Sequence, residues 1–439
     1  MSLFTEQQSK QLIDKIVSYS KADEISVAIT GSREGNIRFA RNTVSTSGET
    51  NDLSISIVSV FGKRSGITTI NEIEDASLKD AVQRSENIAR LAPENPEFMP
   101  GLGPQEYGKA LNYSEKTAGI DQEFRVDAVL ASIEECSRKK MTAAGFLQDN
   151  TGFVAFGNNK GLFGYNRYAN GAFSVTARSE DEKGSGYGVQ YFTDASQLNS
   201  KQVTESSTRK AEASREAKEM KPEKYTVILE PQAAWDLISL MVSALDARTA
   251  DEGRSFFGKR GSGNRIGDQL FNEKLSIWSD PFNEENPAAP FSNDGLPRKK
   301  TIWIENGVLK NLSYSRYWAE QKKKDPLAPA AGSFYVQGSD KSLDDLIKGT
   351  DKGILVTRFW YIRAVDPQTL VFTGLTRDGT FYIENGAIKH AIKNFRFNES
   401  PAQMLYNLED VGKPVRINNA MVPPMRIKNF TFTSLSDAV

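Results

Sequence analysis

The sequence predicts an α+β protein: an N-terminal α+β domain followed by a large C-terminal domain of mainly antiparallel sheet. Three observations lead there. The first 95 residues mix helix-period and strand-period apolar patterns. Residues 142–192 form a glycine- and aromatic-rich run of short alternating segments. The C-terminal half carries two copies of I-E-N-G-x-[LI]-K, each the mark of a hairpin turning at Asn-Gly. At roughly 150 residues per domain, the 439 residues divide into an N-terminal domain (1–95), a linker and central region (96–222) and the C-terminal domain (223–439).

The first helix opens on a capping box, Thr5 to Gln8, with Leu12, Ile13, Ile16 and Val17 on one face. In the strand that includes Leu53, Ile55 and Ile57, these residues alternate with serines. A second amphipathic helix aligns Leu78, Ala81, Val82, Ile88 and Ala89 before Pro93 ends it. Residues 93–120 hold four prolines and no periodicity, and read as a linker or an extended wrap. A helix over 121–138 places Cys136 on an apolar stripe with Val126, Val129, Leu130 and Ile133, the setting of a core cysteine. After the meander, 200–221 reads as a strongly charged, surface-lying helix.

The stretch 227–310 organises the rest. Val227, Ile228 and Leu229 form a buried strand, and Pro231 opens a helix apolar or small at nearly every position from 234 to 245. A loop with Gly253, Gly258, Gly261 and Gly263 follows, then tight turns at Asp294-Gly295 and Asn306-Gly307. The second copy of the hairpin turns at Asn385-Gly386. Glu305 and Glu384 occupy equivalent positions and read as solvated hairpin residues, and His390 closes the second copy as a structural residue. The apolar run 358–362 (RFWYI) and the long sheet edges predict a dimer formed mainly by the C-terminal domain.

Composition excludes several classes. The chain has one histidine, His390, and one cysteine, Cys136. No zinc site of the usual His/Cys type and no disulfide can form within it, so no cofactor is expected. Lys plus Arg total 55 against 56 Asp plus Glu, a net charge of -1 with no field to gather nucleic acid. The longest nearly apolar segment, 237–245, is too short to cross a bilayer. No basic-then-apolar leader is visible at the start, and the reading is a cytoplasmic protein.

The order strand, apolar helix, SFFG loop, DP turn, DG-x-P and IENGVLK resembles the TldD/TldE (PmbA) family, whose members are known as modulators of DNA gyrase and act as a peptidase pair. An N-terminal R-x-x-x-x-S-x-x-G pattern, matched approximately by Arg41, Ser45 or Ser47, and Gly48, points the same way. The resemblance implies C-terminal sheets that enclose a cavity completed by dimerisation, with unfolded peptide laid as a strand along a sheet edge. In that family one subunit carries HExxxH on the helix after the strand, with a further cysteine ligand near the C-terminus. Here the two histidine positions fall on Ser239 and Ala244 and the glutamate position on Leu240, while the 418–428 segment has no cysteine. The chain therefore resembles the partner type without the zinc motif, expected to pair with a zinc-bearing paralogue or with itself. A stand-alone homodimeric peptide-binding scaffold is the alternative, and a hydrolase using carboxylates a third. The glycine loop lacks the Lys-Ser/Thr of a phosphate-binding loop. It is expected to lie over the peptide cleft, presenting Arg254, Phe257, Lys259, Arg260 and Arg265.

Overall fold

The structure is a computed structural model and describes residues 3–259, 261, 263–330 and 332–436. Helix α1 (Glu6–Ser18) begins with the expected capping box: Gln8 N–H donates to Thr5 Oγ1 at 3.2 Å, and Thr5 N–H donates to Gln8 Oε1 at 2.9 Å. Strands β1 (Glu24–Ala40), β2 (Thr43–Phe61) and β3 (Arg64–Ile70) follow, then α2 (Asp75–Leu91), the single turn α3 (Glu115–Ala118) and α4 (Gln122–Arg138). Strands β4 (Met141–Asn158), β5 (Phe163–Ser179) and β6 (Ser185–Phe192) and helix α5 (Ser200–Ala213) complete this half. The β1–β2 turn is Arg41-Asn42, both left-handed (φ 53° and 56°), a geometry that matches the twist of the paired strands.

The strands run β3-β2-β1-β4-β5-β6 in one antiparallel sheet. The division expected between 1–95 and 96–222 falls, in chain order, between β3 and β4 of this sheet. β1 pairs with β4 from Ser26↔Asn158 to Phe39↔Gly145, so the two regions share a sheet and a helix-covered face. The segment between them is a wrap. Arg248 donates two hydrogen bonds to the Glu97 carboxylate, each 2.7 Å, Arg316 donates to the Pro100 carbonyl, and Tyr107 donates to the Gly295 carbonyl at 2.8 Å. Cys136 is fully buried in the core beneath α4.

The charged helix expected over 200–221 stops at Ala213 and lies on the surface with Lys201, Glu205, Arg209 and Glu212 exposed. It buries Val203, Thr204, Ser207, Thr208 and Ala211. A Cβ on Gly186 of β6 would collide with the Ser207 carbonyl, so the helix rests directly on strand backbone. Past the helix, Ser214 Oγ bonds the backbone of Ser185, and Lys218 N–H donates to the Ala391 carbonyl at 2.9 Å. These tertiary partners end the helix despite its composition.

The C-terminal half contains β7 (Lys224–Leu229), α6 (Pro231–Val242), α7 (Ala247–Asp251), β8 (Ile277–Ser279), β9 (Thr301–Glu305) and β10 (Val308–Leu309). Then come α8 (Arg316–Lys322), β11 (Phe334–Val336), α9 (Leu343–Lys348), β12 (Lys352–Asp366), β13 (Val371–Glu384) and β14 (Ala387–Ala391). The chain finishes with β15 (Phe395–Glu399), α10 (Pro401–Tyr406), β16 (Leu408–Val411), β17 (Val415–Ile417), β18 (Ala420–Val422) and β19 (Met425–Leu435). Among the described residues these strands build two sheets. One is ordered β10-β9-β8-β11-β18-β17; the other is β12-β7-β19-β15-β13-β14 with β16 on β19.

In the larger sheet β12 pairs with β7 in parallel and with β13 antiparallel, so five strands close into a ring. Closure removes most of the edges from which a dimer was expected. Phe359, Phe397 and Phe430 pack together in its core, with the Phe359 and Phe397 ring centres 4.6 Å apart. Both Asn-Gly turns form as expected, with φ 49° and 79° at Asn306-Gly307 and 51° and 72° at Asn385-Gly386. The two copies nonetheless lie in different sheets. Trp360 and Tyr361 of RFWYI, and Val365 just beyond it, are exposed at the β12–β13 end.

Candidate functional site

Helix α6 builds a large cleft. Glu230 precedes the helix, and Pro231 stands in its first turn, where no N–H is required. Ala233, Ala234, Leu237, Ile238 and Met241 pack into the core. Gln232, Trp235, Asp236, Ser239, Val242 and Ser243 recur at helical spacing and line a cavity of about 890 Å³. The opposite wall comes from the loops holding Asp294, Arg298 and Ala330, with Tyr191 of β6 and Asn418-Asn419 of the final segment at its sides.

The charges in this cleft are shaped by burial. Desolvation pushes the Asp236 carboxyl up to about 6, against the pull of the Phe359 N–H (2.9 Å) and the Gln232 side-chain amide (2.7 Å). Gln232 Oε1 is buried and has no partner. Arg298 donates to the carbonyls of Ala289, Phe291 and Pro329, and burial lowers it to about 10. Asp246 is occupied in capping α7, accepting from Thr249 N–H at 2.8 Å.

Of the three zinc-motif positions, Ser239 faces the cleft, whereas Leu240 and Ala244 pack against the core cluster. Hydroxyl, leucine and alanine side chains do not supply a zinc ligand set. Asn418 and Asn419 reach the cleft from the last segment but bring only amides. His390 sits on β14 against Tyr382, 5.4 Å between ring centres, with Nδ1 3.0 Å from the Ala391 carbonyl. Burial pushes the Cys136 thiol up to about 11, leaving it an inert core group. Among the described residues no three His, Cys, Asp or Glu side chains converge on a metal position. The residues present do not fit zinc, and no chemistry is derived through it.

The glycine-loop residues do not line this cleft. Phe257 is fully buried in the core, in ring contact with Phe256. Arg254 pairs with Glu252 at 2.8 Å, Lys259 with Asp268 at 2.9 Å and Arg265 with Asp268 at 3.6 Å. Arg260 lies outside the described residues. Glu305 pairs with Lys310 at 3.1 Å and Glu384 accepts from Tyr382 OH at 3.3 Å, each within its own hairpin. Gln232, Trp235, Asp236, Tyr191 and Asn418-Asn419 were missed. For the α6 group the signal was present, since Asp236, Ser239 and Ser243 interrupt an apolar helix at spacings of three and four.

Comparison with known proteins gives this arrangement a lineage. The family model described as PmbA/TldA metallopeptidase C-terminal domain matches residues 222–434, and the PmbA/TldA metallopeptidase domain 1 model matches residues 26–89. The chain belongs to the PmbA/TldD family. A metalloprotease TldD homolog of Buchnera aphidicola is 26% identical over 182 residues, 38% of this chain and 37% of that protein. A metalloprotease of Methanothermobacter thermautotrophicus is 24% identical over 169 residues, 35% of this chain and 36% of that one. The matched segment thus spans well under half the length of these relatives.

Solved structures of the PmbA/TldD fold superpose almost throughout. TldE from Thermococcus kodakarensis has a TM-score of 0.86 at 18% identity, covering 97% of this chain and 99% of that one. A Bacteroides thetaiotaomicron protein named as a modulator of DNA gyrase has a TM-score of 0.86 at 20% identity, covering 98% of this chain and 100% of that one. At such identities the likeness establishes the fold, which is the α+β architecture expected from the sequence.

Proposed function

We propose that this chain is a non-catalytic, cytoplasmic TldE/PmbA-like subunit of a metallopeptidase pair. Its α6 cleft receives an extended, unfolded peptide, and hydrolysis requires a zinc-bearing paralogue. The observation that carries the reading is the α6 stripe itself: the helix turns Gln232, Trp235, Asp236 and Ser239 into a cavity of about 890 Å³, while the positions of the family's metal motif hold Ser239, Leu240 and Ala244. Apolar and aromatic walls with converging amides and hydroxyls, beside Asp236, Asp246, Asp294 and Arg298, suit a peptide main chain with its flanking side chains. A near-even charge balance supports a protein substrate over nucleic acid. No described helix is long and apolar enough to cross a membrane.

Reconstitution tests it. The isolated chain leaves an unstructured peptide intact, and mixing with a zinc-bearing paralogue produces cleavage that a chelator stops. Robust cleavage by the isolated chain, surviving both chelator and repurification, overturns the reading in favour of a carboxylate hydrolase. Peptide binding without any activating partner supports the stand-alone scaffold instead. The exposed apolar tip of Trp360, Tyr361 and Val365 suits a protein contact with a paralogue or a second copy.

A further inference from the structure

The helix-covered face of the N-terminal sheet is apolar at both ends and polar in the middle. On this face Arg33 of β1 stands opposite Thr151 of β4, and the next rows pair Phe153 with Arg167 and Ala155 with Tyr165. Strand alternation puts all of these side chains on one face. Ile29 and Ala155 lead into one core cluster, and Ile37 and Leu147 into another. Between the clusters is a cavity of about 620 Å³, roofed by the start of α1 and by residues 113–119. It shares no lining residue with the α6 cleft.

Two of its groups lack the partners their chemistry requires. Thr151 is 3% exposed, and its hydroxyl has no hydrogen-bond partner. A buried hydroxyl is nearly always satisfied in a native protein, so this one marks a place for a donor or acceptor from outside. Half-buried Arg33 donates only to the Ala118 and Ile120 carbonyls, and no carboxylate pairs with it among the described residues. Arg167 stacks on Tyr113, 4.0 Å from guanidinium to ring centre, with exposed Glu115 3.9 Å away. Tyr165 donates to the Phe4 carbonyl at 2.8 Å, which holds its ring along the cavity wall.

We propose that this cavity is a second binding site, for a small molecule that carries a carboxylate or phosphate on an aromatic body. The oxyanion takes the remaining Arg33 donors and the Thr151 hydroxyl, since guanidinium–oxyanion bonds are among the strongest available at a partly buried site. The aromatic body packs along Tyr165 and Phe4.

The test is calorimetric titration of the full chain with benzoate and with phenyl phosphate. At least one probe binds saturably, and Arg33→Gln weakens that binding by about tenfold or more, the usual worth of one charge-assisted bond. Thr151→Val, close in shape but lacking the hydroxyl, weakens it by several-fold. The urea midpoint and far-UV circular dichroism of each variant match the parent, so that a loss of binding reflects the site rather than misfolding. Binding of one probe alone assigns the anion as carboxylate or phosphate. Failure of both probes to saturate, or unchanged binding in folded Arg33→Gln, overturns the proposal.

Discussion

Replacing Asp236 with Asn removes a carboxyl that the fold holds at a cost. Its pKa moves from an ordinary 3.8 to about 6, mainly through burial. At 1.36 kcal/mol per pKa unit the ionised form is disfavoured by about 3 kcal/mol relative to the unfolded chain. Between about pH 4 and 6 the folded protein binds a proton that the unfolded chain has released. Stability therefore falls as pH rises through this window, and the full cost persists above pH 6. Asparagine keeps both contacts once the Gln232 amide turns over: its carbonyl accepts from Phe359 N–H, and its amide donates to Gln232 Oε1 brought round in place of Nε2. Arg358 acts on the same carboxyl in the opposite sense and remains in place. Urea unfolding of both proteins, followed by tryptophan fluorescence at intervals from pH 4 to 8, reads the effect. Asp236→Asn should match the parent near pH 4 and exceed it by about 3 kcal/mol at pH 7.5. A difference that stays constant across the range, or favours the parent at high pH, refutes the reasoning.

Two further outcomes follow from other parts of the molecule. Arg125 is 2% exposed and bonds both oxygens of Asp149, itself 1% exposed, at 2.6 and 2.9 Å. Arg125→Met strands that carboxylate and should cost about 3–5 kcal/mol in denaturant unfolding, while Arg125→Met with Asp149→Leu recovers much of the loss; equal losses refute the stranded-charge account. Light scattering at micromolar concentration should show a dimer that Tyr361→Asn with Val365→Thr dissociates, and a monomeric parent removes the apolar tip as a self-contact. Tyr361 has φ 56°, a conformation asparagine adopts more readily, so that change should not disturb the hairpin.

Local chemistry was legible in the sequence and long-range pairing was not. The Thr5–Gln8 box and both Asn-Gly turns are decided by residues within a few positions of one another, and all form. The union of 1–95 with the following region depends on β1 meeting β4, about a hundred residues later in sequence, through strands whose alternation is compatible with many neighbours. The hairpin repeat announced two turns but carried no information about which sheet each joins. Helix α6 was read as apolar because apolar residues dominate it, yet its thin polar stripe faces the cleft. The glycine loop misled differently: its cations suggested an open cover, whereas Phe257 anchors it in the core and carboxylates occupy the cations.

The ring of strands also sets an order of folding. β7 ends at Leu229, but its two neighbours are residues 354–356 of β12 and 224-facing partners as late as Thr431 of β19. During synthesis the six-stranded N-terminal sheet has all its strands by Phe192, while β7 waits through well over a hundred further residues before either flank is met. Such non-local closure is slow and leaves an apolar strand unpaired meanwhile. The completed N-terminal half meets the ring through Ser185, which donates to Asp378 of β13, and Tyr187, which lies under Arg358 of β12, so one wall is in place before the ring closes.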